Sequence, residues 1–146
     1  LKQKENVEQI REEMRRMMTE QVGVFRTEEG LNTAIQALSA AKDRLREAGL
    51  RCRDLRMNQE LVQRWELDNL LSVSMVIAQG ALRRRESRGG HARSDFSQRR
   101  DEFNAHTLAY MAEFGKIRFE NRTVNMSIFE AKGDHFDKFG LIERKY

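Results

Sequence analysis

Residues 59–86 read QELVQRWELDNLLSVSMVIAQGALRRRE, and this stretch decides the fold. Its apolar side chains recur at helical spacing and predict a helix about 40 Å long at 1.5 Å per residue. The apolar side is unusually broad, and Trp65 is expected to anchor the core. A stripe of this width predicts contact with two partners, either two helices or one helix and another domain. Its members are Leu61, Trp65, Leu70, Leu71, Val73, Met75, Ile77, Ala78, Ala81 and Leu82.

Two further helices are predicted upstream. The first runs from about residue 5 to 21 and ends at Gly23, and the second has Thr27 as N-cap and Gly49 as terminator. The absence of proline from the chain favours long helices with few loops. Residues 1–90 therefore predict a mainly α fold, a three-helix antiparallel bundle like a spectrin repeat. The buried stripes contain Val7, Ile10, Met14, Met17 and Met18, then Leu31, Ala34, Ile35, Leu38, Ala41 and Leu45.

The pattern changes after Gly90. Residues 91–104 are polar and predict irregular structure, whereas residues 116–126, KIRFENRTVNM, alternate as a strand or a weak hairpin does. From Ser127 onward single aromatic residues lie among charges, and such a segment cannot form a core of its own. We therefore expect residues 91–146 to be an extended strap that packs on the bundle. Its late aromatic residues are Phe129, Phe136, Phe139 and Tyr146.

Charge is unevenly distributed along the chain. The 146 residues carry a net charge of +4, yet the seven arginines between Arg83 and Arg100 face only Glu86 and Asp95, which leaves a local net charge of +5. The rest of the chain is therefore slightly acidic. A protein that holds nucleic acid by charge usually spreads lysine and arginine over a wider face. The length fits one domain, or one domain with a long tail.

No residue pattern predicts catalytic, cofactor-binding or metal-binding chemistry in this chain. His91, His106 and His135 lack the neighbours of a metal site, and no motif makes Cys52 a nucleophile. As the single cysteine, Cys52 excludes an internal disulfide and favours a reducing compartment. No apolar run approaches the roughly 20 residues that span a bilayer, and nothing resembles a signal peptide. Because the chain begins at Leu1 in mid-pattern, we expect a processed product or a fragment.

The most basic stretch, RRRESRGGHARSDF at residues 83–96, has three interpretations. It is a solvated helix end, a nucleic-acid contact or a clasp between domains. Glu86 and Asp95 would repel phosphate, which argues against nucleic acid. In a clasp, Arg88 and Arg93 would pair with acids or carbonyls across a domain interface, while a Gly-Gly pair turns the backbone. The residues alone leave the three interpretations open and favour the clasp.

The order of several motifs resembles one protein family. GVFRTEEGL (23–31), ELDNLL (66–71), ESRGGHARSDF (86–96), HTL (106–108), RTVNM (122–126) and IERKY (142–146) follow one another. Together they resemble the carboxyl-terminal part of the flavoprotein subunit of succinate dehydrogenase and fumarate reductase. L-aspartate oxidase and adenylylsulfate reductase have related helical ends, but HTL and the long tail favour the succinate/fumarate branch. Gly90 and Ser97 depart from the family, which usually has a small residue such as alanine and then a proline there.

The resemblance implies a fragment of a flavoenzyme. The family binds FAD in an amino-terminal domain, and its dicarboxylate substrate lies between that domain and a capping domain. This chain contains none of those segments, so we expect no catalytic residue and no cofactor here, and no activity of the fragment alone. The resemblance implies interface or structural roles for six signature residues, namely Arg88, Gly89, His91, Arg93, Asp95 and His106.

The same resemblance implies the surroundings of the chain. Its expected partners are its own flavin-binding and capping domains and the iron–sulfur subunit, with membrane contact only through other subunits and no nucleic acid. In the full protein the strap of residues 91–146 is expected to pack on the flavin domain as well as on the bundle. We expect a cytoplasmic location on the inner face of the cell membrane. Without the parent domain, residues from Ser127 onward should be mobile or held by a neighbouring copy. The rival hypothesis is a free-standing helical interaction module whose basic end binds the phosphates of a nucleic acid such as RNA.

Overall fold

Three helices and a β-hairpin make up the structure, a computed structural model that describes residues 5–52, 54–125 and 127. The predicted mainly α class, with three helices followed by a short hairpin, is confirmed. The elements are α1 (Val7–Gln21), β1 (Phe25–Arg26), α2 (Glu28–Glu47), α3 (Gln59–Arg83), β2 (Ala92–Arg93), a 3-10 turn (Asp101–Phe103), β3 (Ala105–Glu113) and β4 (Lys116–Thr123). Among the described residues, no helix is long and apolar enough to cross a membrane.

Each helix begins at a capping side chain. Asn6, Thr27 and Asn58 accept hydrogen bonds from first-turn N–H groups of α1, α2 and α3, which satisfies donors that have no partner inside the helix. The predicted starts are therefore correct to within about two residues. Helix α3 ends at Arg83, short of the predicted Glu86, because Arg84 already has an extended backbone with φ −85° and ψ 96°.

Ion pairs between helix ends show that the bundle runs up, down and up. Arg44, near the end of α2, pairs with Glu5 and Glu13 around the first half of α1. Lys42 Nζ, on α2, lies 2.6 Å from Asp68 Oδ1 in the first half of α3. Helix α2 is therefore antiparallel to both of its neighbours, as predicted.

The core is formed by one face of each helix. Leucine dominates its centre, since Leu31, Leu38, Leu67 and Leu71 are completely buried. Each such side chain stabilises the fold by about 1.5–3 kcal/mol through removal of apolar surface from water. Val7, Ile10, Met14, Ala34, Ala41, Leu45, Met75, Ala78 and Ala81 complete the helical part of this core, and Met17, Met18, Ile35 and Leu82 pack against it.

Trp65 corrects one expectation from the sequence. It is 61% exposed and does not anchor the core. Helix α3 has apolar residues on two sides, but α1 and α2 contact only the side that carries Leu67, Leu71 and Met75. Periodicity could not decide which apolar side faces the bundle, because both sides satisfy it.

The hairpin packs on the end of α3. Strands β3 and β4 pair antiparallel from Ala105 opposite Thr123 to Glu113 opposite Lys116, and Gly115 turns the chain with φ +80°. The sequence predicted β4 but missed β3. The reason is that every third residue of β3 is partly buried, so it lacks the alternation that identifies a strand. Gln79 Nε2 donates to the Gly115 carbonyl at 2.9 Å, which ties the turn to α3.

A second, smaller pairing joins the start of the strap to the bundle. Strand β2 lies parallel to β1, with Ala92 opposite Phe25 and Arg93 opposite Arg26. The sequence predicted residues 91–104 as irregular, so this two-residue ladder and the 3-10 turn are corrections. The expectation of a mobile tail concerns residues that, apart from Ser127, lie outside the described part of the chain.

Candidate functional site

The basic stretch folds into a compact network at one end of the bundle. We call it the arginine corner and define it as residues 84–100 together with Arg26. The carboxyl ends of α1 and α3 and the amino end of α2 all contact it. The backbone groups at these helix ends have no partner inside their own helices. The side chains of the corner supply those partners.

A tight turn brings the corner together. Arg88 N–H donates to the His91 carbonyl at 2.8 Å, and His91 N–H donates to the Arg88 carbonyl at 3.1 Å. Gly89 between them has φ +60°, a conformation that costs a residue with a side chain about 1–2 kcal/mol. The turn sends the chain back past the end of α3, so that β2 can lie beside β1.

Arg93 is a completely buried cation that caps α3. Its Nη1 donates to the carbonyls of Ala81 (3.0 Å) and Leu82 (3.2 Å) at the carboxyl end of the helix, where the helix dipole favours positive charge. Its Nε and Nη2 donate to the two carboxylate oxygens of Asp95, both at 2.7 Å. The guanidinium also lies 4.9 Å from the centre of the Phe96 ring. These partners satisfy the charge that burial would otherwise leave uncompensated.

Asp95 links the end of α3 to the start of α2. One of its oxygens accepts the N–H of Glu28 at 2.8 Å, in the first turn of α2, where negative charge is favourable. The hydrogen bonds from Arg93 outweigh the opposing effect of partial burial and lower the pKa of Asp95 to about 2, with the Glu28 N–H adding to the effect. Asp95 is therefore ionised at every physiological pH.

Glu86 is the buried counter-ion of Arg84 and Arg88. Its Oε1 accepts from Arg84 Nη1 (2.6 Å) and Arg88 Nε (2.9 Å). Its Oε2 accepts the backbone N–H of Arg100 at 2.9 Å. Burial by itself raises the pKa of the Glu86 carboxyl, but the hydrogen bonds from Arg88 and Arg100 and the nearby guanidinium charges hold it below its ordinary 4.5. The carboxylate therefore stays charged inside the protein.

Ser87 joins the two halves of the corner. Its hydroxyl accepts the backbone N–H of Arg93 at 2.8 Å and donates to the Phe96 carbonyl at 2.9 Å. Because Ser87 is buried, an unpartnered hydroxyl here would cost free energy. The residue therefore fixes the path of the chain on either side of the Gly-Gly turn.

His91 connects the corner to the end of α1 through Arg26. Arg26 Nε donates to the carbonyls of Val22 (3.1 Å) and Gly23 (2.7 Å), and its Nη1 lies 2.8 Å from His91 Nδ1. A guanidinium can only donate, so Nδ1 must accept, and Nε2–H donates to the Arg84 carbonyl at 2.9 Å. This arrangement requires a neutral imidazole.

The surroundings of His91 favour the same protonation state. Burial lowers the pKa of His91 below its ordinary 6.5. The positive charges of Arg26, Arg93 and Arg84 lower it further, whereas the bond to the Arg84 carbonyl acts in the opposite direction. The histidine is therefore a structural hydrogen-bonding residue that carries no charge.

The structure brings together five of the six signature residues predicted from the sequence. Arg88, Gly89, His91, Arg93 and Asp95 all lie in the corner. The sixth, His106, is an exposed residue of β3 opposite Arg122, and the corner's hydrogen bonds do not include it. The acids and carbonyls that Arg88 and Arg93 contact belong to this chain. An interface role for the six residues stays a prediction.

Sequence reasoning missed several residues on which the corner depends. The sequence indicates Glu86 only as a charge that would repel phosphate, although an acid among arginines is also typical of a shared counter-ion. Arg26 lies 65 residues from its partner His91, and nothing local connects the two. Ser87 gives no chemical signal until its buried neighbours are known. Long-range partners of this kind cannot be found from spacing alone.

The buried side chains of the corner, Glu86, Ser87 and Arg93, all have hydrogen-bond partners. A surface pocket beside them is lined by Arg85, Asp95, Phe96, Ser97, Gln98 and Arg100, and its acid, Asp95, is already bound by Arg93 and by the Glu28 N–H. Among the described residues, no group of three or more histidine, cysteine, aspartate or glutamate side chains is placed to hold a metal ion. What the arrangement does is hold three helix ends and the start of the strap in one position. It is a structural centre.

Comparison with known proteins places this chain in a family. The family model described as fumarate reductase flavoprotein C-term matches residues 11–146. The succinate dehydrogenase flavoprotein subunit of Rickettsia bellii is 35% identical over 123 residues, which cover 84% of this chain and 21% of that protein. The chain thus spans about a fifth of the length of such relatives.

Solved structures share the fold. A structure of E. coli quinol fumarate reductase matches with a TM-score of 0.79 and 33% identity, over 84% of this chain and 21% of that one. Adenylylsulfate reductase from Archaeoglobus fulgidus matches with a TM-score of 0.63 and 27% identity, over 75% of this chain and 18% of that one. The chain belongs to the family of fumarate reductase flavoprotein carboxyl-terminal domains.

Proposed function

We propose that this chain is the carboxyl-terminal domain of the flavoprotein subunit of a succinate dehydrogenase or fumarate reductase. The family match over residues 11–146 supports this proposal. About four fifths of the length of such a protein has no counterpart in this chain. The flavin site and the catalytic residues would lie in that part. The domain itself would not react with substrate.

Its own task in this proposal is mechanical. The observation that supports it is the arginine corner, where buried Glu86 and Arg93 find all their partners in this chain. A site built in this way holds helices in fixed relative positions and leaves no group poised for chemistry. The domain would brace the flavin-binding and capping domains and offer a surface to the iron–sulfur subunit, on the inner face of the membrane and without crossing it.

The succinate/fumarate branch is favoured over its neighbours. The fumarate reductase structure matches more of the chain, and with a higher TM-score, than adenylylsulfate reductase does. The curated relatives with 35% identity are succinate dehydrogenase and fumarate reductase flavoproteins.

The nucleic-acid alternative is disfavoured by the geometry. Arg84, Arg88 and Arg93 are occupied by Glu86, Asp95 and backbone carbonyls. Phosphate would have to compete with these partners inside the protein. The local net charge seen in the sequence is therefore much less available than the residue count suggests.

The test compares two versions of the full-length polypeptide to which this chain belongs. One version is complete, and the other lacks residues 1–146. We expect the full-length protein to bind flavin and to reduce an electron-accepting dye with succinate, or to oxidise a reduced dye with fumarate. The version that lacks residues 1–146 should lose copurification with the iron–sulfur subunit. A full-length protein with neither flavin nor these activities would contradict the proposed function.

A further inference from the structure

The surface pocket beside the arginine corner combines positive charge with an apolar wall. Its cavity volume is about 380 Å³. We call it the Phe96 pocket and define it by its lining residues, Arg85, Asp95, Phe96, Ser97, Gln98 and Arg100. The centre of the Phe96 ring lies 5.9 Å from Arg85 Cζ, so the ring gives that guanidinium a surface to lie against.

The backbone that carries the pocket is fixed from within the corner. Ser87 N–H donates to the Gln98 carbonyl at 3.1 Å, and the Ser87 hydroxyl donates to the Phe96 carbonyl at 2.9 Å. Arg88 Nη2 donates to the Arg100 carbonyl at 3.0 Å. Three alternate carbonyls of this segment are therefore bonded to the turn that follows α3. A ligand that binds here would not have to order the backbone first, and this lowers the entropic cost of binding.

The pocket contains positive charge that the acids of the corner do not neutralise. Glu86 pairs with Arg84 and Arg88, and Asp95 pairs with Arg93. The two arginines of the pocket lie beside acids from outside the corner, Arg85 beside Glu28 and Arg100 beside Glu102. The buried network therefore uses its own acids, and the remaining cations of the basic stretch face the surface.

Both arginines of the pocket are accessible to a ligand. The side chain of Arg85 is 57% exposed and that of Arg100 is 47% exposed. Arg85 Nη2 lies 3.8 Å from Glu28 Oε1, which is beyond hydrogen-bond distance. Arg100 Nη2 lies 2.8 Å from Glu102 Oε1, but both of these side chains are exposed, and an exposed ion pair contributes little to stability. An anion with more charge than a carboxylate would replace either glutamate at little cost.

Asp95 does not exclude an anion from the pocket. Its two oxygens accept from Arg93 Nε and Nη2, both at 2.7 Å, and one of them also accepts the Glu28 N–H at 2.8 Å. These donors compensate its charge inside the protein. The charges that remain available at the pocket are those of the two arginines.

We propose that the Phe96 pocket binds a phosphate group, either inorganic phosphate or the phosphate of a small phosphorylated molecule. A guanidinium binds two oxygens of one anion through parallel N–H donors. A carboxylate has only two oxygens, so one arginine satisfies it. A phosphate monoester has three acceptor oxygens and nearly two negative charges at neutral pH, and it can therefore bind Arg85 and Arg100 together. Ser97 and Gln98 add a hydroxyl and an amide that can donate to the same group.

A site of this kind differs from a nucleic-acid interface. Each phosphodiester of RNA carries a single negative charge, and affinity for RNA comes from many cations that contact successive phosphates. The Phe96 pocket has two available arginines in one cavity. It therefore suits one doubly charged group, while the remainder of a small ligand extends into solvent.

The experiment follows the modification of single arginines by phenylglyoxal in the full-length polypeptide to which this chain belongs. Peptide mass spectrometry identifies each modified position. The probe is millimolar inorganic phosphate, and the reference is sodium chloride of equal ionic strength, which screens charges to the same extent. We expect phosphate to slow the modification of Arg85 and of Arg100 by about fivefold or more, because a bound anion covers both guanidinium groups.

Arg15 is the matched control. It also pairs with an exposed glutamate, Glu12, at 2.8 Å, but it does not line the pocket. Its rate of modification should be the same in phosphate and in chloride. Arg85→Gln and Arg100→Gln then test whether one anion binds both side chains. Each variant should abolish the protection of the arginine that remains.

Glycerol 3-phosphate identifies the source of the phosphate group. Protection by it as well as by inorganic phosphate assigns the pocket to phosphorylated small molecules, and protection by inorganic phosphate alone assigns it to the free ion. Four results would overturn the proposal. They are equal protection of Arg15, protection that survives the loss of the other arginine, equal protection by the dicarboxylate malonate, and failure of Arg85 and Arg100 to react in the native protein without phosphate.

Discussion

Arg93 shows at the residue scale why arginine and lysine are not equivalent in this fold. Its planar guanidinium donates to Asp95 through Nε and Nη2, and to two helix carbonyls through Nη1. A lysine ammonium is a point charge on a flexible stem and cannot reach both sets of acceptors. We expect Arg93→Lys to lower the free energy of unfolding by about 2–3 kcal/mol, because buried carbonyls lose their donors. Urea denaturation of the purified chain measures this change.

Arg85→Lys is the matched control for that substitution. Arg85 belongs to the same basic run, but its side chain is 57% exposed, and its Nη2 lies 3.8 Å from Glu28 Oε1. An exposed pair of this kind contributes little, so the change in stability should stay within about 0.5 kcal/mol. Equal effects of the two substitutions would show that Arg93 acts only as a charge.

His91 makes the stability of the chain depend on pH. In the folded state its pKa lies below the ordinary 6.5, so at and below that pH the unfolded state binds more protons than the folded state. Stability is therefore present above pH 6.5 and decreases as the pH falls below it. His91→Gln keeps an acceptor for Arg26 and a donor for the Arg84 carbonyl without titrating. We expect it to flatten this part of the stability curve in urea denaturations.

The pH range separates the histidine effect from the titration of the acids in the corner. Asp95 and Glu86 have lowered pKa values, so their contributions are present above their ordinary 3.8 and 4.5 and are lost only as the pH falls below that range. A decline that persists in the His91 variant would assign it to another group.

At the scale of an element, the Gly89-Gly90 turn requires only one of its two glycines. Gly89 has φ +60°, whereas Gly90 does not adopt a left-handed conformation and has open space where a Cβ would lie. We expect Gly89→Ala to destabilise the chain by about 1–2 kcal/mol and Gly90→Ala to be close to neutral. Thermal unfolding of the two variants measures the difference. A costly Gly90→Ala would mean that the turn has a different geometry.

Helix α3 offers a matched pair of adjacent leucines. Leu71 is completely buried and Leu70 is 42% exposed. Leu71→Ala should lower the free energy of unfolding of the isolated chain by about 2–5 kcal/mol, because it leaves a cavity in the core. Leu70→Ala should change it by no more than about 0.5 kcal/mol. Similar costs for both would contradict the orientation of α3 described here.

Elements were predictable where the signal was local. Thr27 followed by two glutamates identified the start of α2, and the apolar spacing identified the bundle side of α1 and α2. Trp65 was misplaced because α3 is apolar on two sides, and only the positions of its neighbours decide which side is buried. Strand β3 was missed because its exposure does not alternate. In both cases tertiary contacts decided what periodicity could not.

For the whole molecule, charge count and available charge are different quantities. The chain has a net charge of +4, but Glu86 and Asp95 neutralise the arginines around them from inside the fold. We expect no sub-micromolar RNA binding at physiological salt, and only weak binding at low salt. Fluorescence anisotropy with a labelled RNA over a salt series measures this. Tight binding with a steep salt dependence would favour the nucleic-acid alternative.

The candidate site was predictable as a position, and its connections were not. RRRESRGGHARSDF marked the corner because seven arginines between Arg83 and Arg100 stand out in any charge profile. The arginine–acid pairs join residues two positions apart, but the bonds of Arg93 and Asp95 to helix ends reach residues 12 to 67 positions away. Sequence spacing carries no information about such bonds. Glu86 and Arg26 could be assigned only once the fold was known.

Two contacts of the corner join distant parts of the chain. Arg26 and His91 are 65 positions apart, and Glu28 and Asp95 are 67 positions apart. Closing loops of this length costs more entropy than local contacts do, so we expect these contacts to form late in folding. During synthesis, the end of α1 and the start of α2 leave the ribosome well before the residues that will cap them. The nascent bundle is thus incomplete until Asp95 has emerged. A chaperone would protect this protein most in that interval, while the apolar sides of its helices are still open.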